Sequence, residues 1–79
     1  MNTIAVFKSR TQALSVYRYL QSKKIACMTI NTPSKLRLGC GISILLPDAY
    51  VGEVKSAVRE LSANTFVGFF CKLPPVSFP

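Results

Sequence analysis

The chain has 79 residues, with ten Lys and Arg against three Asp and Glu and no His, so its formal net charge is +7 at pH 7. This length predicts a single domain. The absence of His and the scattered carboxylates exclude the usual Ser-His and Cys-His nucleophile pairs and a paired-carboxylate site. No stretch approaches the roughly 18–20 apolar residues of a membrane span, and no signal-peptide pattern is present, so we expect a cytoplasmic protein without membrane association.

The first part of the chain predicts a strand, a helix and a second strand. Thr3–Phe7 is a short apolar run with β-branched residues, which is typical of a buried strand. Ser9 is the expected N-cap of the following helix, and Gln12 completes a capping-box pattern. The cations Lys23-Lys24 suit the end of that helix, because they complement its dipole. Residues 25–30 then predict the second strand.

The second part predicts a strand, a helix and a final strand after a polar, basic connection at residues 33–39. Ile42–Leu46 is almost entirely apolar, as expected of a central strand. Asp48 is the expected N-cap of the second helix. Its buried stripe is predicted at five apolar positions with helical spacing, namely Val51, Val54, Ala57, Val58 and Leu61.

The last predicted strand, residues 65–71, is rich in aromatic side chains. Alternation places Phe66 and Phe70 on one face and Val67 and Phe69 on the other, so both faces are apolar. Residues 73–79 form a Pro-rich tail that is expected to lie outside the domain, which spans residues 1–72.

The resulting order, β-α-β-β-α-β, predicts an α+β fold of the ferredoxin-like type. Right-handed crossovers place both helices on one face of a four-stranded antiparallel sheet. The other face is then open unless something covers it. Because the last strand is apolar on both faces and few residues are charged, we expect a homo-oligomer, such as a dimer, or a protein partner on this open face.

Cys40 is the candidate nucleophile. It stands where the basic connection enters the third strand, and Gly41 would let another molecule approach the backbone closely. Lys35 and Arg37 are near in sequence and would favour the thiolate, which is the reactive form. The alternative is an inert cysteine, because free cysteine is among the residues most often buried.

The remaining cysteines, Cys27 and Cys71, fall within predicted strands and are expected to pack in the core. A role as the resolving thiol for Cys40 stays open, because a sequence gives no distances. Three cysteines without a CxxC pair, in a chain without His, lack the usual zinc spacings. We therefore expect no metal site and no cofactor.

The segment Thr32-Pro33, followed by a basic stretch and Cys40-Gly41-Ile42-Ser43, resembles a small bacterial family of sulfur- or selenium-carrier-like proteins. The opening Val6-Phe7-Lys8-Ser9 is also similar, and the resemblance spans about residues 4 to 71. It implies a ferredoxin-like fold and places Cys40 where a persulfide or selenide would be held after delivery by a sulfur-donor enzyme. This chain has Leu38-Gly39 where members often carry hydroxyl residues. The expected binding residues surround the cysteine: Lys35, Arg37, Gly39, Gly41 and Ser43.

A basic binding module for RNA, a nucleotide or an acidic protein partner is the alternative function. RNA-recognition modules share this element order but stack bases on aromatic residues of their central strands. The third strand here has no aromatic residue and lacks the signature of those modules, which disfavours standard RNA recognition. Binding to the phosphate backbone of RNA stays an alternative, and the basic side chains available for it are Lys8, Arg10, Lys35, Arg37, Lys55 and Arg59. A carrier or a binding protein is expected rather than an enzyme.

Overall fold

A computed structural model describes residues 3–32 and 41–71, with the backbone alone at residue 71. The basic segment 33–40 and the Pro-rich tail 73–79 lie outside the described residues. The elements are β1 (Thr3–Phe7), α1 (Arg10–Ser22), β2 (Met28–Asn31), β3 (Ile42–Leu46), a 3-10 turn (Asp48–Tyr50), α2 (Val51–Glu60) and β4 (Phe66–Cys71).

The four strands form one antiparallel sheet in the order β2-β3-β1-β4. The element order and sheet confirm the predicted ferredoxin-like α+β fold, and β1 and β3 have the predicted bounds. Alternate residues of these central strands face the helices, since Ala5 and Phe7 are buried in one core cluster with Ile44 and Leu46. The helices complete that cluster with Ala13, Val16 and Leu20 of α1 and Val54 and Ala57 of α2.

The N-terminus of α1 is capped as predicted, but the capping box is not closed. The Ser9 Oγ accepts a hydrogen bond from the Gln12 backbone N–H at 3.3 Å, which confirms Ser9 as N-cap. The Gln12 side chain turns to Thr65 instead of Ser9: its Oε1 accepts from the Thr65 N–H at 3.0 Å and from the Thr65 hydroxyl. The Ser9 N–H donates to the Thr65 Oγ1 at 3.3 Å. These bonds tie the start of α1 to the start of β4.

The end of α1 explains why β2 is shorter than predicted. Lys24 has φ +60°, its N–H donates to the Gln21 carbonyl at 2.9 Å, and the Ile25 N–H donates to the Leu20 carbonyl at 3.1 Å. This is a Schellman motif, completed by the apolar contact of Ile25 and Leu20 in the core. Because the Ile25 N–H is used by the helix end, the predicted strand start at residue 25 is wrong. Pairing with β3 begins at Met28.

The start and the end of α2 also differ from the prediction. Asp48 is not an α-helical N-cap: it begins the 3-10 turn, and its carboxylate accepts a hydrogen bond from the Thr3 hydroxyl. Leu61 was predicted to be buried, but it is the C-cap residue and is 42% exposed. A second Schellman motif follows, in which Ser62 has φ +52° and the Ala63 N–H donates to the Val58 carbonyl at 2.9 Å.

A β-bulge in β4 overturns the predicted alternation of its aromatic residues. Val6 pairs with Gly68 but Phe7 pairs with Phe66, so Val67 is an extra residue in the ladder. Gly68 adopts φ +155° at this point. As a result Phe66 packs against the helix-side core together with Phe69, with ring centroids 5.0 Å apart. Phe70 and Val67 pack on the opposite face instead.

The sheet face opposite the helices carries a second apolar cluster. Its centre, formed by Ile4, Val6 and Leu45, is buried within the single chain. Ile30, Val67 and Phe70 are half-buried around it. Met28 is 47% exposed at the β2 edge. The apolar character predicted for this face is therefore present.

Candidate functional site

The predicted site residues fall on both sides of the boundary of the described chain. Cys40, Lys35, Arg37 and Gly39 belong to residues 33–40 and lie outside the described residues. Gly41 and Ser43 are described, and so is the residue on the other side of the segment, Thr32. The structure therefore describes the site through the two strand ends on either side of residues 33–40, the Cys40 segment.

Those two strand ends are joined by a backbone hydrogen bond. The ladder between β2 and β3 reaches Asn31 opposite Ile42. One position further, the Thr32 N–H donates to the Gly41 carbonyl at 2.8 Å. The segment that contains Cys40 therefore leaves from and returns to one point at the end of a hairpin. Cys40 is covalently attached to that point through Gly41.

A partly buried hydroxyl pair reinforces the same hairpin end. The Thr32 Oγ1 and the Ser43 Oγ lie 2.6 Å apart, on the sheet face opposite the helices. Ser43 is fully buried, so its hydroxyl requires a partner inside the protein. The structure thus places Ser43 within the sheet, in a bond to Thr32; its binding role stays a prediction. Thr32 was absent from the predicted site residues, although it belongs to the Thr32-Pro33 pair on which the family resemblance rests.

Gly41 is required at the return point by its backbone conformation. Its φ is +92°, a value that side-chain-bearing residues rarely adopt. A Cβ placed on Gly41 would meet no atom within 4 Å, and the residue is exposed. The space beside the Gly41 backbone is thus open among the described residues, which agrees with close approach by another molecule.

Cys27 has the surroundings of a packing residue. It precedes β2, is half-buried and packs against the helix-side core. Burial raises the pKa of the Cys27 thiol, because desolvation disfavours the charged thiolate. A thiol with a raised pKa has little of the nucleophilic form at neutral pH. Cys27 is therefore poorly suited to accept a sulfur atom.

The described residues carry more positive than negative side chains. Lys23 forms the one ion pair of the described residues, with its Nζ 3.7 Å from the Glu53 Oε1, and lies 4.8 Å from the Tyr19 ring centre. Tyr19, and after it Glu53, raise the pKa of Lys23. No group of three or more metal-ligating side chains occurs within the described ranges. The exposed cations are Lys8, Arg10, Arg18, Lys23, Lys24, Lys55 and Arg59.

A comparison with family models identifies the family. Residues 2–65 match the family described as "Putative Se/S carrier protein-like", which is more than half of the chain. The chain belongs to this Se/S carrier-like family. The match contains the whole β2–β3 hairpin with Cys40 and ends before β4. No curated protein and no solved structure matches the chain. Neither α1 nor α2, the helices of the described part, is long and apolar enough to cross a membrane.

Proposed function

We propose that the protein is a carrier that holds sulfur or selenium on the Cys40 thiol, as a persulfide or selenide. The observation that carries this proposal is the family match over residues 2–65, which includes the Cys40-Gly41 segment. The hairpin supports it, because the Thr32–Gly41 hydrogen bond and the Thr32–Ser43 pair fix the base of this segment. Among the described residues, the space beside Gly41 is open, which suits an approaching donor protein.

The loading step is a sulfur exchange without net oxidation. The Cys40 thiolate attacks the outer sulfur of a donor persulfide, R–S–SH; a new S–S bond forms, the donor S–S bond breaks, and the donor leaves as the thiolate R–S⁻. The product is the Cys40 persulfide. Lys35 and Arg37 favour the attacking thiolate by their charge and help to dock an acidic donor.

The other two cysteines are weaker candidates for this chemistry. Cys27 is half-buried and burial raises its pKa. Cys71 lies on β4, beyond the residues that the family shares with this chain. Of the three cysteines, only Cys40 stands next to a glycine in the sequence. Gly41 is exposed, and the space beside it is open among the described residues.

Sulfur loading tests the proposal. The wild-type protein, Cys40→Ser and the matched control Cys27→Ser are each incubated with glutathione persulfide, and intact mass is measured. We expect wild type and Cys27→Ser to gain one sulfur atom and Cys40→Ser to gain none. Equal loading of Cys40→Ser and wild type would refute the assignment of Cys40.

We further propose that a protein partner, a second copy or the sulfur donor, binds the sheet face opposite the helices in the cytoplasm. Met28 is 47% exposed there, and Ile30, Val67 and Phe70 are only half-buried. Apolar surface of this kind is typical of association sites. Sedimentation of wild type and Met28→Lys checks this. A monomeric wild type that also fails to bind a persulfide donor would contradict it.

A basic binding module is the second candidate function, and the surface charge favours it. All seven cations of the described residues are exposed, and only Lys23 has a carboxylate partner there. Such a surface attracts RNA or nucleotide phosphates. The affinity for a single-stranded RNA should then fall steeply as salt rises, because bound counterions are released. No binding at low salt would exclude this candidate.

A further inference from the structure

The two edge strands of the sheet differ in how well they are protected from pairing with another strand. The edge strand β4 carries the bulge at Val67, which interrupts its ladder and is a common protection of sheet edges. The edge strand β2 has no such shift, since its register with β3 is continuous over Met28–Asn31. It also contains no Pro and no charged residue. No described strand pairs with its outer side.

The Thr32–Gly41 hydrogen bond shows which backbone groups of β2 point to this outer side. In an antiparallel ladder, opposite residues alternate between hydrogen-bonded and non-hydrogen-bonded pairs. Because Thr32 and Gly41 form a hydrogen-bonded pair, Ile30 and Met28, two and four residues earlier, also direct their backbone groups toward β3. The N–H and C=O groups of Thr29 and Asn31 therefore point away from β3, to the outer edge.

The side chains of β2 are more exposed than those of the central strands β1 and β3. Met28 is 47% exposed, and Thr29 and Asn31 are exposed as well. Ile30 is half-buried at the margin of the apolar cluster opposite the helices. A strand added at this edge would cover apolar side chains and also pair the outward backbone groups.

We infer that β2 pairs in antiparallel orientation with β2 of a second copy of this chain, so that two sheets join edge to edge about a two-fold axis. A two-fold interface requires a patch that is complementary to itself. The outward groups of β2 meet this requirement, because Thr29 and Asn31 lie symmetrically on either side of Ile30. A second copy is therefore the partner that this edge fits.

The register that uses both outward residues of β2 is centred on Ile30. Thr29 then lies opposite Asn31 of the second copy, and each such pair exchanges two backbone hydrogen bonds. The two Ile30 residues meet at the axis in a non-hydrogen-bonded pair, in which the Cα atoms are about 4.5 Å apart. The apolar cluster opposite the helices continues in this way from one copy into the other.

This interface lies at the edge of the sheet rather than on its face, and it does not depend on the cargo proposed for Cys40. Each copy has a formal net charge of +7, so repulsion between the copies opposes association. The paired strands are short, which makes the interface small. We therefore expect a weak dimer whose affinity rises with salt, because salt screens the repulsion.

The oligomeric state of wild type, Thr29→Pro and the matched control Thr29→Ala tests the inference. Proline removes one outward N–H that the β2–β3 ladder does not use, whereas alanine keeps it. Thr29 lies opposite Ile44 on the helix side of the sheet, so neither substitution alters the opposite face. The proteins are compared by sedimentation velocity over a range of protein and salt concentrations, and circular dichroism checks their fold.

We expect a monomer–dimer equilibrium for wild type and Thr29→Ala, with more dimer at high salt, and a folded monomer for Thr29→Pro. A wild type that is monomeric at every concentration would overturn the inference. A folded Thr29→Pro that dimerises as wild type does would also overturn it, and would assign the dimer contact to another surface.

Disulfide trapping tests the register and does not require Thr29→Pro to fold. Ile30→Cys and the control Thr29→Cys are each made in a Cys27→Ser background. Two thiols at position 30 lie at the axis, within the Cα separation of about 4.4–6.8 Å that a disulfide needs. Two thiols at position 29 belong to Cα atoms about 8 Å apart, beyond that range.

After oxidation with glutathione disulfide, peptide mass analysis identifies the cross-linked positions. We expect a disulfide between the two copies of the position-30 peptide, and none between the two copies of the position-29 peptide. Absence of the position-30 disulfide, or equal cross-linking of both variants, would overturn the inference.

Discussion

Gly41 and Gly52 form a matched pair of glycines whose replacement by Ala should change stability in opposite directions. A Cβ at either position meets no atom within 4 Å among the described residues, so neither substitution causes a steric clash with them. The two differ in backbone conformation. Gly41 has φ +92° at the base of the Cys40 segment, whereas Gly52 lies inside α2.

The backbone conformations set the size of each effect. An L-residue in the left-handed region costs about 1–2 kcal/mol, so Gly41→Ala should destabilise the fold by about that amount. Ala is favoured over Gly within a helix by about 0.5–1 kcal/mol, so Gly52→Ala should stabilise it. The two variants should therefore differ by about 1.5–3 kcal/mol.

Urea unfolding followed by far-UV circular dichroism measures both variants, since the chain contains no Trp. For a domain of this size, 1 kcal/mol corresponds to about 4–8 °C in Tm, so thermal scans give an independent check. A Gly41→Ala variant as stable as wild type would refute the conclusion that the backbone alone requires glycine. A destabilised Gly52→Ala variant would contradict the helical conformation of Gly52 in α2.

Three further predictions concern the hairpin, the helix ends and Cys27. Thr32→Val should lower the free energy of unfolding, measured in urea, by about 1–3 kcal/mol, because the buried Ser43 hydroxyl loses its partner. The double variant Thr32→Val/Ser43→Ala should recover part of this loss. If the effects of the two single substitutions on the free energy of unfolding simply add in the double variant, the hydroxyl pair is contradicted. Lys24→Gly and Ser62→Gly should each stabilise the protein by up to about 1 kcal/mol, because both residues have positive φ; lower melting temperatures would argue against the two Schellman motifs. The rate of alkylation of the Cys27 thiol, measured by peptide mass analysis, should rise only at a higher pH than the rate for an unburied cysteine, because burial raises the pKa of Cys27. Modification at neutral pH as fast as in the urea-unfolded chain would contradict its packing.

The sequence predicted the central strands well because burial and propensity agree there. Ile42–Leu46 is nearly continuous in apolar residues and is central in the sheet, as is Thr3–Phe7. The predicted strand at residues 25–30 began too early, because the hydrogen bond from Ile25 to Leu20 belongs to the helix end. Lys24 takes the left-handed position usually held by Gly, so the usual sequence signal of this helix end was absent.

The sheet face on which each β4 side chain lies could not be predicted from alternation alone. The bulge at Val67 shifts the register by one residue, which brings Phe69 to the helix side and Phe70 to the other. Gly68 was the one local signal, since glycine within a strand often marks a bulge.

The candidate site was predicted in part from the Cys40-Gly41 motif, but not the interactions that support it. The bond between Thr32 and Ser43 depends on the register of β2 against β3, which the residue types along the two strands do not specify. The places of Cys27, just before β2, and Cys71, on the edge strand β4, also follow from strand order and register rather than from spacing along the chain. This is why a resolving thiol stayed open at the level of sequence.

The reactivity of the Cys40 thiol tests the proposed carrier function most directly. The rate of alkylation at Cys40 is measured against pH by peptide mass analysis in the wild-type protein, with Cys40→Ser as control. We predict an apparent pKa below the free-cysteine value of about 8.5 and rapid modification at neutral pH. An apparent pKa at or above that value, with slow modification, would contradict the carrier function.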